Sequence, residues 1–207
     1  MKKRCKVIAA LPFLALMSGP SLAEKGVYVG LSIGQGSVDL PTTEVLTLLD
    51  DGGGAFVNED DSDTVFDIHV GYQFNEYFSV EGGFANFGEY SLSAVSDGTG
   101  STWFAGDTAV ASVEGYGFLL GLKAMAPVSE SFTLFAKAGL NMWDAEISAS
   151  VVSVSLSEDD DGTDAYFGFG ATYNMNNIGI NAGFNRYDVA DGDIDAFTIG
   201  VDFSLGK

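Results

Sequence analysis

Six ionisable side chains fall inside segments that otherwise alternate apolar with small or polar residues: Asp67, His69, Glu81, Lys123, Lys137 and Asp202. In each segment they share their parity with glycine, asparagine or serine, which predicts that all six lie on one side of a sheet. A charge removed from water must be paired, because an unpaired buried charge is strongly destabilising. Three acids against two lysines and one histidine therefore predict an ion-pair network, with a small ion pathway as the alternative.

His69 is the only histidine in the chain and invites a catalytic interpretation. A catalytic histidine needs a nucleophile or a water within hydrogen-bond reach. The residues that follow it, Val70 and Gly71, supply no hydroxyl, and its parity places it with the polar face. We predict no catalytic residue, no enzyme activity and no cofactor.

The elements that must position these residues are eight short strands. They cover about residues 26–36, 63–74, 77–88, 111–126 and 131–143, with three more within 164–205. Strands of roughly 10–12 residues are near the length that a tilted membrane strand requires. The connections alternate long with short, which is typical of a transmembrane barrel and not of a secreted sandwich. The sequence thus predicts an all-β fold, an eight-stranded antiparallel up-and-down transmembrane β-barrel.

The residues near the strand ends and the lengths of the connections predict how the barrel lies in the membrane. Aromatic residues near strand ends fit the girdles that lie at membrane interfaces: Phe74, Tyr77, Phe78, Phe132, Trp143 and Tyr187. Short turns in such barrels face the periplasm and long loops face the exterior. Both termini are therefore expected in the periplasm.

The N-terminal residues have the pattern of a secretory signal peptide. A basic stretch, 2–6, precedes an apolar stretch, 7–17, and Ser21-Leu22-Ala23 supplies small residues for cleavage. We expect residues 1–23 to be removed and residues 24–207 to form the barrel domain. The single cysteine, Cys5, leaves with the signal peptide, so no disulfide is expected. Export and membrane strands together predict the outer membrane of a Gram-negative cell.

Acidic residues dominate the predicted long loops, about 37–62, 89–110, 144–163 and 188–195. These loops hold 20 of the 29 acids and no lysine or arginine, in a chain of formal charge −20. Nucleic acid is excluded as a partner, because phosphate binding needs clustered basic residues. The loops are predicted to be a hydrophilic rim, with divalent cations bridging them to surface lipid as the sharper alternative. No metal site is predicted, because the acidic runs lack calcium-loop spacing; the weak candidates are Asp159, Asp160, Asp161, Asp191 and Asp193.

Several short motifs resemble the OmpA-like transmembrane β-barrel family: Tyr28-Val29-Gly30-Leu31-Ser32-Ile33-Gly34, Gly71-Tyr72-Gln73-Phe74-Asn75, Phe132-Thr133-Leu134-Phe135-Ala136-Lys137-Ala138-Gly139, and Asn185-Arg186-Tyr187-Asp188 with Asp191-Gly192-Asp193-Ile194-Asp195. The resemblance covers the whole chain after the signal peptide. It implies an eight-stranded barrel whose lumen is closed by side chains, where Glu81, Lys123 and Lys137 match the family's pairing of glutamate with basic residues. Larger members add a peptidoglycan-binding domain, which is not expected here.

Together these features predict a monomeric, integral outer-membrane protein with a structural role in the envelope or a surface-interaction role through its acidic loops. A narrow, low-conductance channel and a lipid-modifying outer-membrane enzyme are the alternatives. The predicted partners are outer-membrane lipid, lipopolysaccharide, divalent cations at the loops, and a host cell or phage.

Overall fold

The computed structural model describes residues 26–39, 53–152, 154–189 and 192–205. Within these ranges the chain forms nine strands: β1 (Val27–Val38), β2 (Ala55–Asp60), β3 (Ser62–Gln73), β4 (Phe78–Ser96), β5 (Thr108–Pro127), β6 (Phe132–Val151), β7 (Val154–Met175), β8 (Ile178–Val189) and β9 (Gly192–Ser204). No helix in these ranges is long and apolar enough to cross a membrane. The predicted signal peptide lies outside the described residues.

Eight of the strands close into a ring in which every pairing is antiparallel. From β3 to β9 each strand pairs with the next one along the chain, including β4 with β5. β1 pairs with both β3 and β9 and so closes the ring. β2 stands outside the ring and pairs only with the far part of β4, from Ser91 to Ser96. The predicted eight-stranded antiparallel barrel is confirmed, and β2 is an addition to it.

The two ends of the barrel differ. At one end, which we call the turn end, short connections join β3 to β4, β5 to β6 and β7 to β8. Asn75 builds the first of these turns, because its side-chain oxygen accepts hydrogen bonds from the backbone N–H groups of Tyr77 (2.8 Å) and Phe78 (3.0 Å). At the other end, the extended end, β4 to β7 continue well beyond the ring.

This continuation corrects the predicted loops 89–110 and 144–163. Strands also occupy most of the described parts of the predicted loops 37–62 and 188–195, where β2, β8 and β9 lie. The β4–β5 ladder runs on to Val95 and Thr108, and the β6–β7 ladder runs on to Val151 and Val154. The residues that we call the extension are therefore paired strands: 55–60, 89–96, 108–115, 145–151 and 154–162. Their abundant serine and aspartate suggested loops, but small residues that alternate with Val, Leu and Ala still pair well when neighbouring strands continue the sheet.

A β-bulge marks the base of the extension. The β4–β5 register shifts between Asn86 and Gly88, and Gly88 has φ +84°, a conformation that favours glycine. Asp63 supports this point, because its carboxylate accepts hydrogen bonds from the backbone N–H groups of Glu89 (2.7 Å) and Thr64 (2.6 Å). The shift reverses the parity of β4, so that Phe87 and then Tyr90 both face inward, where they are buried.

The apolar side chains of the ring face outward, as the alternation predicted. Exposed fractions of 54% at Leu31, 58% at Ile68, 62% at Leu122 and 57% at Phe169 would be unfavourable in water over so large a surface. The opposite face fills the lumen with buried glycine, serine, asparagine and charged residues. Such an inside-out distribution fits a barrel surrounded by lipid.

Candidate functional site

The centre of the lumen holds a buried ion pair between β4 and β5. Lys123 Nζ lies 2.9 Å from Glu81 Oε1, and both side chains are less than 10% exposed. The Tyr28 hydroxyl on β1 donates a hydrogen bond of 2.5 Å to the same Glu81 oxygen and lies 3.0 Å from the Ser79 hydroxyl. Glu81 is thus held by an ammonium from β5 and a phenol from β1, strands that lie on either side of β4.

His69 on β3 lies between two carboxylates. Its Nδ1 is 2.7 Å from Asp67 Oδ1, and its Nε2 is 3.1 Å from Asp202 Oδ1 on β9. Two flanking carboxylates suit a ring that donates hydrogen bonds from both of its nitrogens. Gly30 leaves the room for this contact, since a side-chain carbon there would collide with both His69 and Asp202.

Five of the six predicted lumen residues are therefore joined by contacts within 4.0 Å, whereas Lys137 acts on Asp67 and Glu81 only through longer-range electrostatics. Asp202 connects the two groups, because its second oxygen lies 3.8 Å from Lys123 Nζ. Lys137 is half-buried in the lumen but makes no ion pair within 4.0 Å of any described residue. Tyr28 was not among the predicted lumen residues. Two features could have indicated it: Tyr28 has the same parity as the inward-facing Gly30, and it carries a hydroxyl.

Aromatic side chains fill the lumen between this polar centre and the extended end: Phe87, Tyr90, Trp143, Tyr166 and Tyr187. The rings of Phe87 and Tyr187 lie 4.9 Å apart, and those of Tyr166 and Tyr187 stack at 6.0 Å. The placement of Trp143 and Tyr187 in an outer girdle was therefore wrong, since both are buried in this aromatic cluster. Trp143 also donates a hydrogen bond of 2.6 Å from Nε1 to Asp164. No comparable cluster was predicted, because parity alone does not show which inward rings meet.

The outer face of the extension carries a row of four carboxylates. Glu89 is directly opposite Glu114, Glu114 is opposite Glu146, and Glu146 is opposite Asp159, across β4, β5, β6 and β7. All four are exposed. We call them the acidic row. Like charges directly opposite each other in a sheet are destabilising, and residues 89–114 and 144–163 contain no lysine or arginine to offset them.

The weak metal candidates do not form a metal site in the described residues. Asp159, Asp160 and Asp161 lie on β7 itself, where successive side chains point to opposite faces and cannot converge on one ion. Asp193 lies 3.6 Å from the Arg186 guanidinium, which forms a two-bond pair with Asp195. Asp191 lies outside the described residues. Over those residues no group of three or more acids, histidines or cysteines is arranged to hold a metal ion.

Comparisons with known proteins agree with this architecture. The sequence matches the family described as outer membrane protein beta-barrel domain over residues 7–204. The fold is similar to OprG of Pseudomonas aeruginosa (TM-score 0.53, 16% identity, 88% of this chain and 98% of that one) and to Neisserial surface protein A (0.51, 12%, 87% and 97%). Ail, the attachment invasion locus protein of Yersinia pestis, has a TM-score of 0.49 at 17% identity over 87% and 99%. No curated protein sequence matches the chain. The predicted family resemblance is confirmed.

Proposed function

The chain belongs to the outer membrane protein beta-barrel domain family and is an outer-membrane protein, and on that premise we propose that its extension binds cationic partners outside the cell. In this arrangement the turn end faces the periplasm, as short turns do in bacterial barrels. Gly26 and Leu205, the first and last described residues, then lie on the periplasmic side. The apolar outer face contacts lipid and lipopolysaccharide, and the protein acts as a monomer.

The acidic row is the observation that carries this proposal. Four neighbouring strands present one carboxylate each, at matched positions, on a paired sheet. Mutual repulsion of these exposed charges is relieved when a cationic group approaches, which favours association with basic polypeptides. Such attraction is long-ranged at low salt and is screened within about 8 Å at physiological salt.

The alternatives have less support. A channel needs a continuous open lumen, whereas buried aromatic rings pack against one another inside this lumen. A catalytic role for His69 needs a nitrogen free to take a proton, whereas both of its nitrogens contact carboxylates. A purely structural role in the envelope has no specific observation in its favour, but the following test separates it from binding.

The test compares charge-neutralised variants in lipid nanodiscs of neutral composition. One variant carries Glu89→Gln, Glu114→Gln, Glu146→Gln and Asp159→Asn. The control carries Glu76→Gln and Glu130→Gln at the turn end, where both residues are exposed. Binding of a lysine-rich peptide is measured by interferometry at several salt concentrations, together with the sensitivity of producing cells to bulky antibiotics.

We expect the unmodified protein and the turn-end control to bind the peptide with a strong salt dependence. The acidic-row variant should bind at least about tenfold more weakly, a difference of roughly 1.4 kcal/mol. Equal binding by all three proteins would overturn the proposal. If binding is equal and the acidic-row variant makes cells antibiotic-sensitive, the structural role is the correct one.

A further inference from the structure

The lumen opens at the turn end into a cavity of about 280 Å³. Its floor is formed by Tyr28, Lys123 and Asp202, and its walls are mainly amides and hydroxyls: Gln73, Ser129, Thr133, Thr172, Asn174 and Asn177. On its other side the lumen is filled by the polar centre and the aromatic cluster. The cavity is therefore a blind recess that opens only at the turn end.

Two charged atoms of the floor have hydrogen-bonding capacity that the described residues leave unused. Lys123 Nζ has three donors, of which one reaches Glu81 at 2.9 Å. The rings of Phe135 and Tyr28 also lie near it, with centroids at 4.8 and 5.5 Å, but they accept no conventional hydrogen bond. Asp202 uses one oxygen for His69 at 3.1 Å. Its second oxygen lies 3.8 Å from Lys123 Nζ, which is too long for a direct hydrogen bond.

A separation of 3.8 Å suits a bridging hydroxyl group. A hydroxyl oxygen accepts from an ammonium and donates to a carboxylate at about 2.8 Å each, so one such oxygen lies within reach of both atoms. A carboxylate or phosphate would instead meet Asp202 at the floor and Glu76 and Glu130 in the lining. A metal ion would meet the ammonium of Lys123. A neutral hydroxyl avoids both repulsions.

The walls suit the same chemistry. Asn174 Nδ2 donates to the Thr133 hydroxyl at 3.1 Å, which leaves the Asn174 carbonyl as an acceptor and the Thr133 hydroxyl as a donor. Thr172 adds a further hydroxyl to the lining. Neutral groups that donate and accept around a charged floor match a ligand that carries several hydroxyls on a small frame. We infer that this cavity is a binding site for a small neutral polyol or a single sugar ring.

The inference is tested with the whole chain folded in phosphocholine micelles, which carry no sugar headgroup. Methyl β-glucoside is titrated while backbone amide signals are followed by NMR, and glycine is titrated separately as a zwitterionic probe. We expect saturable shifts at the residues that line the cavity, with the weak, millimolar affinity typical of a few hydrogen bonds. Glycine should cause no saturable shift.

Two matched variants examine the floor. Asp202→Asn keeps an oxygen for His69 but replaces the second carboxylate oxygen by an amide that cannot accept, and it should weaken sugar binding at least about tenfold. Asp164→Asn makes the same chemical change at a carboxylate beside Trp143, away from His69 and outside the cavity lining, and should bind as the unmodified protein does. Heat-modifiable gel migration checks that each variant is folded.

A second pair of variants tests the wall of the cavity. This pair keeps the inference testable if the charge variants do not fold. Thr172 lines the cavity and Thr198 does not, although both face the lumen and are about equally buried, at 8% and 7% exposed. Thr172→Val should weaken sugar binding and Thr198→Val should leave it unchanged. The inference is overturned if the sugar causes no saturable shift, if glycine competes equally, or if both members of a pair behave alike.

Discussion

Lys123 and Glu81 form a buried ion pair of 2.9 Å at the centre of the lumen, and each has an additional partner from another strand. Glu81 accepts from Tyr28 on β1, and Lys123 lies 3.8 Å from Asp202 on β9. The pair therefore joins four strands that are not all neighbours: β1, β4, β5 and β9. Such a contact across the lumen links strands that are not neighbours, whereas the ladder hydrogen bonds link only neighbouring strands.

Removing one partner of this pair should destabilise the barrel strongly. Lys123→Met leaves the Glu81 charge buried without its ammonium, and Glu81→Gln leaves Lys123 with only its longer contact of 3.8 Å to Asp202. Each change should lower the free energy of unfolding by about 3–5 kcal/mol, measured by urea titration of the protein folded into vesicles. A double variant should lose less than the sum of the two single changes.

Lys137→Met is the matched control, because Lys137 faces the same lumen without an ion pair to the described residues. Its effect should be clearly smaller than that of Lys123→Met. Equal losses at the two lysines would mean that diffuse lumen charge, and not the specific pair, supports the barrel.

Two tyrosines of the aromatic cluster, Tyr187 and Tyr90, differ in whether the hydroxyl has a hydrogen-bond partner, and removing each hydroxyl tests this difference. The Tyr187 hydroxyl is buried without a hydrogen-bond partner among the described residues, whereas the Tyr90 hydroxyl donates to the Phe87 carbonyl at 2.7 Å. Tyr187→Phe should therefore be neutral or stabilising, and Tyr90→Phe should lower the free energy of unfolding by about 1 kcal/mol. The reverse order would show that Tyr187 has a bound partner, such as an ordered water.

The strands of the ring could be predicted because successive residues face lipid and lumen in turn, so apolar and polar residues alternate strictly along each strand. Residues such as Leu31 and Ile68 must face lipid when Gly30 and Asp67 face the lumen, so parity assigns each side chain to a face. The lumen residues could be named for the same reason. Which of these residues pair with each other could not be predicted. Alternation along one strand does not give the register between strands, which decides how far along the barrel axis each charge lies.

The extension and the aromatic cluster escaped sequence reasoning for two different reasons. Ser91 and Ser93 resemble loop residues, but their partners on β5 continue the ladder, so tertiary context overrides local composition. In β4 the bulge at Gly88 reverses the parity, so a strict alternation places residues beyond it on the wrong face. Trp143 and Tyr187 were placed outside because strand-end aromatics are usually interfacial, whereas here they pack inward.

The aromatic cluster should keep the lumen closed to ions. In planar bilayers the unmodified protein should give no stable conductance, because the rings from Phe87 to Tyr187 fill the lumen. A double variant, Trp143→Ala with Tyr187→Ala, removes two of these buried rings and should give brief conductance steps, because ions then have only the polar centre at Lys123 and Glu81 to pass. Phe118→Ala is the control, since Phe118 faces outward and is 48% exposed. Stable conductance in the unmodified protein, or in the Phe118 variant, would contradict the assignment of the seal to this cluster.

Asp63 should make the base of the extension sensitive to acid. The backbone N–H groups of Glu89 and Thr64 donate to its carboxylate, and these hydrogen bonds lower the pKa of Asp63 below its ordinary value of 3.8. A lowered folded-state pKa means that the stabilisation is fully present above pH 3.8 and is lost as the pH falls through the lower, folded-state value. Asp63→Asn should abolish this transition and increase hydrogen exchange at Glu89 and Tyr90 already at neutral pH. Asp107→Asn, a change of the same type at the far tip of the β4–β5 hairpin, should leave exchange at Glu89 unaffected. If exchange at Glu89 is the same in all three proteins from neutral pH down to below 3.8, Asp63 does not support the bulge.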